Sequence, residues 1–268
     1  MTTTTVDIAA PSHAAIASQR PGRTATRLAR MELRLLLREP MVAVSLIGFP
    51  LVTVLILAGV FGQVPDPEFG GVAPDDHYLA GYVGVVLAAM GLITLPVHIA
   101  THRELGVLRR FRASGLSAGT VVASEIVVGA VLATVAASVV LTLGTVVYGL
   151  TAPENPVGVA VWFIAGLACF IAVGGALGST LSSGRAASAL GNLVFVPMFL
   201  LGGGGPPRAV MTGPMRTLSD ILPLSHVIGG LRQSWLGTTD DPHALWWPLL
   251  VAALAVAVAI RNARRHAA

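Results

Sequence analysis

The chain reads as an all-α integral membrane protein with six membrane-spanning helices. Hydrophobic residues make up 54% of its 268 residues and charged residues 11%, less than half the roughly 25% of an ordinary soluble domain. The apolar residues gather in six runs, most of them near the roughly 20 residues that a helix needs to cross a bilayer. The arginines collect in alternate connections between those runs, the asymmetry that orients multi-pass proteins.

An N-terminal stretch of 19 residues, rich in Thr, Ala and Ser, has no cationic start followed by an apolar core. It is therefore expected to be a disordered cytoplasmic tail and not a cleaved signal peptide. From Thr24 to Pro40, Arg27, Arg30, Arg34 and Arg38 recur at helical spacing, with Leu28, Met31, Leu33, Leu35, Leu36 and Leu37 filling the remaining surface. This pattern predicts an amphipathic elbow helix on the inner leaflet, its guanidinium groups towards anionic lipid headgroups. Pro40 would mark the bend into the first span.

The predicted spans run from about Met41 to Gly62, Tyr78 to Ala100, Ser124 to Leu150, Val157 to Gly178, Ala187 to Gly204 and Leu245 to Ile260. The fifth stops in the run Gly202-Gly203-Gly204-Gly205-Pro206-Pro207, which a continuing helix tolerates poorly. The sixth has Pro248 near its start, where a helix accepts it. With six spans both termini share one side. All arginines except Arg208, Arg216 and Arg232 then fall inside, and Asp66, Glu68, Asp75, Asp76, Glu154, Asp220, Asp240 and Asp241 fall outside. Both termini are thus expected in the cytoplasm. The Tyr and Trp residues sit near outer ends of spans or in outer loops, as interfacial rings do.

Seventeen basic residues are all Arg, with no Lys. A phosphate-binding P-loop requires a Lys after its glycines, so this chain is not itself a Walker-type ATPase. The pI of about 10.2 reflects topology and not nucleic-acid binding. Cys169 is the single cysteine and lies in an apolar run, so it forms no intrachain disulfide. Ser183 falls in a cytoplasmic loop and His226 outside, on opposite sides of the membrane, and no His-Glu-x-x-His occurs, which argues against an intramembrane protease. A gradient-driven secondary transporter or channel, the alternative function, would carry polar groups at mid-membrane. Within the spans only Glu125 and Asn192 offer any.

The most informative segment joins the second and third spans. Arg103, Glu104, Leu105, Leu108, Arg109, Arg110, Phe111 and Arg112 form one charged island in which Leu105, Leu108 and Phe111 share a helix face. Apolar anchors ringed by charge suit docking into a groove of a soluble partner.

Glu104-Leu105-Gly106-Val107-Leu108-Arg109-Arg110-Phe111-Arg112-Ala113-Ser114-Gly115-Leu116-Ser117 resembles the stretch after the second span in type-2 ATP-binding cassette (ABC) exporter permeases, with Phe111 in place of a Leu. Leu35-Leu36-Leu37-Arg38-Glu39-Pro40 with Phe49-Pro50 is similar to that family's approach to its first span. Gly202 to Pro207, then Ile221-Leu222-Pro223-Leu224-Ser225-His226 and Gly230-Leu231-Arg232, resemble its segment before the last span. The resemblance covers residues 20 to 265 and is nearest to small bacterial permeases of drug and antibiotic export.

It implies a cytoplasmic coupling helix between spans two and three, and a short re-entrant segment before span six. It also implies an ABC ATPase subunit as partner, which binds ATP and Mg. A second permease copy or paralogue, membrane lipids and a hydrophobic or amphipathic substrate complete the expected partners, with no cofactor in this chain and no nucleic acid. The location implied is the bacterial cell membrane.

Three further groups have candidate roles. Glu125, at the start of span three, is expected to form an interfacial salt bridge with Arg103 or Arg109, a proton relay being the alternative. His98 and His102 stand four apart, on one helix face, but no third ligand is near them in sequence, so no metal site is expected. Met90, Asn192, Phe195, Met198 and Phe199 are the tentative substrate pathway, because Met and aromatic side chains make adaptable apolar surfaces.

Overall fold

In a computed structural model, the described residues are 40–106, 118–237 and 242–265. The expected tail (1–19), the elbow segment before Pro40, and Leu108, Arg109, Arg110, Phe111 and Arg112 lie outside them. All regular structure among the described residues is helical. Helix α1 spans Pro40–Phe61. Helix α2, Pro74–Ala89, continues through a π-helical turn, Met90–Thr94, into α3, Leu95–Glu104. Helices α4 (Ala118–Tyr148), α5 (Pro156–Thr180) and α6 (Gly184–Leu201) follow, then α7 (Gly213–Ile221), α8 (Pro223–Leu236) and α9 (Trp246–Arg265).

Among the described residues, four stretches are long and apolar enough to cross a membrane: Pro67–Glu104, Ser124–Tyr148, Pro156–Thr180 and Gly184–Leu201. Leu51–Phe61 and Trp246–Asn262 are shorter apolar helical stretches. The helix limits follow from local chemistry. Asn155 accepts the N–H of Gly158 at 2.9 Å and Pro156 occupies the first helical position, so α5 begins with a cap and a residue that lacks the orphan N–H. Ser183 caps α6 in the same way through the N–H of Ala186.

Helix α2 forms the centre of the bundle. Nearly all of it is buried, including Tyr78, Leu79, Tyr82, Val85, Val86 and Leu87, and it packs against α1, α4, α5 and α8. A helix apolar all round belongs in such a position. The π turn lies where α2/α3 meets α5 and α6, and the backbones come so close there that only glycine fits. A Cβ on Gly91 would stand 2.2 Å from the carbonyl oxygen of Phe170, and one on Gly174 2.4 Å from that of Gly91. Small residues allow this approach between membrane helices.

Helix α8 has 14 residues, or about 21 Å at 1.5 Å per residue, short of a hydrocarbon core about 30 Å thick. It is nonetheless buried: Leu224, Val227, Ile228 and Leu231 are at most 1% exposed, packed on α2 and α5. Arg232 on the same helix is 2% exposed. It donates to the carbonyls of His77 at 2.9 Å and Gly203 at 2.6 Å, while Tyr78 donates to Gly205 at 3.1 Å. The glycine-proline run is thus held between the start of α2 and the buried α8.

Candidate functional site

The end of α3 is where the charged island begins. Leu105 closes the last turn by donating to Thr101 at 2.9 Å, and Gly106 donates to Arg103 at 3.1 Å. Gly106 has φ +68°, a left-handed conformation that only glycine adopts cheaply and that commonly ends a helix. Neighbouring side chains in this last turn diverge, because adjacent positions on a helix do not face the same way.

Arg103 reaches the far end of α5. Its Nη1 donates to the carbonyls of Gly178 at 3.2 Å, Leu181 at 3.4 Å and, closest of the three, Ser179. The last carbonyls of a helix have no partner within it and carry a partial negative charge, so a guanidinium suits them. Glu104 turns to the next helix start instead: its Oε2 accepts the N–H of Gly184 at 3.0 Å, and a carboxylate suits that partially positive end. One Arg-Glu dipeptide therefore holds both sides of the short α5–α6 connection. Asn262 of α9 joins the junction by donating to Thr180 Oγ1 at 2.8 Å.

One turn back, α3 faces α4. Glu125 is 4% exposed in its side chain. His102 Nδ1 lies 2.6 Å from its Oε1 and His98 Nδ1 3.4 Å from its Oε2. The sequence suggested an arginine for Glu125; the described contacts are to two imidazoles, because one helical turn of α3 stacks His98 over His102 opposite α4. Their rings are 5.0 Å apart. The first turn of α4 starts at Ala118, so Glu125 and His102 hold the two roots of segment 105–117.

The tentative pathway residues divide into two groups. Met90, Phe195 and Met198 are buried between helices; Phe199 is partly buried, with its ring 5.9 Å from that of Phe195 and 6.4 Å from that of Tyr82. Asn192, two turns before Phe199 on α6, is exposed, as are Leu193 and Val196, and it donates to the carbonyl of Ser188 at 2.8 Å. The sequence reading passed over a row of hydroxyls on α4: Thr134, Ser138, Thr142 and Thr145 each donate to a carbonyl four residues back. Their spacing of four, four and three was the available signal.

The described residues form an all-helical, multi-pass membrane protein in which Arg103 and Glu104 hold the facing ends of two further helices. The protein-family model described as ABC-2 type transporter matches residues 25–236. The chain belongs to that family, as the membrane permease of an ABC transporter, and such permeases work with an ATPase partner. No curated protein matches the chain.

Proposed function

We propose that this chain is the permease subunit of an ATP-driven exporter and that segment 105–117 is the dock for its ATPase. The observation that carries this reading is the placement of Arg103 and Glu104 on the facing ends of α5 and α6. A force on the segment that follows them reaches α5 through Arg103, α6 through Glu104 and α4 through the Glu125 contacts. Leu105 is 65% exposed, as an apolar anchor for a partner groove should be. Leu108 and Phe111 extend that anchor, and Arg109, Arg110 and Arg112 supply charge pairing.

ATP and Mg belong to the partner, where hydrolysis takes place. Closure of two ATPase subunits would push the segment and shift the permease from inward-open to outward-open. Such coupling requires that nucleotide and cargo each favour a different state. Two copies of this chain would pair to build the pathway. The α6 face with Asn192, Leu193, Val196 and Leu200, all exposed in a single chain, supports this, because an amide facing lipid is costly. The apolar surroundings of Met90, Phe195, Met198 and Phe199 favour a hydrophobic or amphipathic cargo, a drug, antibiotic or lipid-like compound. The arginine asymmetry supports a cytoplasmic side for segment 105–117 and both termini.

The test is co-purification with the cognate ABC ATPase in mild detergent, for the native chain and for R109E/R110E. The expected result is a complex that the double charge reversal abolishes while the permease stays in the membrane. Equal co-purification of the double variant would overturn the docking assignment. No association with any ATPase would favour a gradient-driven transporter.

A further inference from the structure

We propose that His98, His102 and Glu125 form a transition-metal site, with Zn2+ the preferred ion. Among the described residues these are a group of three side chains whose ligand atoms all lie within 4.8 Å of one another. The helices bring together what the sequence separates: two imidazoles one turn apart on α3, and a carboxylate from α4. Histidines four apart on one helix face are a spacing that zinc-binding helices use, because both nitrogens then point to one locus.

The geometry is close to what the ion needs. Zinc bonds of about 2.0–2.2 Å in a tetrahedral arrangement hold ligand atoms roughly 3.3 Å apart. The His98–Glu125 pair, at 3.4 Å, already has that separation. The His102–Glu125 pair, at 2.6 Å, opens by less than an ångström to admit the ion, a shift within side-chain rotation. Three protein ligands leave a fourth position. Beside Glu125 and His98 a cavity of about 30 Å³ extends between Met90, Thr94 and Val128. A water needs roughly 10–15 Å³ of such volume, so there is room beside the ion for a water to take the fourth position.

Charge argues for the same occupant. Glu125 is almost wholly buried with both imidazoles against it, and a dication held among the three groups would offset the carboxylate's charge. The two imidazoles, 36% and 25% exposed in their side chains, give the ion a route from solvent. Two nitrogens and one carboxylate suit Zn2+, Co2+, Ni2+ or Cu2+ and not Mg2+ or Ca2+, which favour oxygen alone. Once bound, the ion bridges α3 and α4 on either side of segment 105–117. An effect on ATPase coupling would rest on the function proposed above; the binding itself does not.

The experiment uses the full chain in detergent or nanodiscs, purified through a tag that contains no histidine. Co2+ is titrated and followed by its visible ligand-field bands, then displaced with Zn2+, and bound zinc is counted by elemental analysis. One ion per chain is expected, with intense bands of a tetrahedral site. H98Q and H102Q should each weaken affinity by roughly tenfold or more, and H226Q and H243Q should not. Should E125Q fail to fold, the two His variants decide alone. Equal binding by native chain and H98Q/H102Q, or no binding by folded native chain at micromolar metal, would overturn the site.

Discussion

Glu104 Oε2 accepts the backbone N–H of Gly184 at 3.0 Å, so the last turn of one helix caps the first turn of another, 80 residues away. In the function proposed above, this contact links α6 to the docking segment and is the most economical place to weaken transmission. E104A should lower permease-stimulated ATP hydrolysis in liposomes by about fivefold, from the roughly 1 kcal/mol of a partly exposed charge-assisted hydrogen bond. E104Q, which keeps an acceptor, should fall between. Membrane insertion and thermal unfolding should be nearly unchanged in both.

Packing at the π turn gives a prediction with an internal control. At Gly174 a Cβ would meet the Gly91 carbonyl at 2.4 Å and Leu95 Cδ2 at 3.0 Å, whereas at Gly175 nothing lies within 4 Å. G174A must push two backbones apart and should destabilise by roughly 1–3 kcal/mol. G175A, one residue on, should be neutral or stabilise by about 0.5–1 kcal/mol, the usual helix preference of Ala over Gly. Thermal unfolding in nanodiscs distinguishes them, and equal melting of the two would refute the close approach.

Arg232 binds two carbonyls from within the bundle. R232M keeps the length and removes both bonds, which should cost roughly 3 kcal/mol or more because the acceptors stay buried. R232K should recover little, since an ammonium cannot span both oxygens as the planar fork does. A Lys variant as stable as the native chain would show that one of the two bonds is dispensable.

The limits of what the sequence told can be traced residue by residue. Apolar runs and boundary signals such as Pro40 and Gly202 onwards located helices α1 to α6 and α9 to within about six residues, because helix ends are set by neighbours in the chain. The resemblance implied short re-entrant helices before span six, and α7 and α8 are helices in that stretch; the burial of α8 was not evident. Its Arg232 was counted with the outer charges, since arginine is seldom buried without a partner, and the partners are carbonyls that only the fold brings near. Glu125 was assigned an arginine for the same reason: charge complementarity is visible along a chain, but the rotation of α3 that turns His98 and His102 towards α4 is not. Arg103 and Glu104 were grouped with the docking surface, yet both are turned to the α5 and α6 ends. In the function proposed above they fix the root of the segment, and Leu105, exposed beside Glu104, is the apolar residue left for a partner.

Leu105 therefore offers the most direct measurement. Cys169 is the one native cysteine and is buried, so L105C provides a single accessible thiol at the start of the proposed dock. Coupled to a short thiol-reactive photo-crosslinker in membranes that contain the cognate ABC ATPase, it should yield a permease–ATPase adduct whose amount changes when nucleotide is added. R109E/R110E in the same chain should abolish the adduct. Efficient labelling of L105C without any ATPase adduct, in membranes where the two chains co-purify, would place the dock elsewhere and contradict the account.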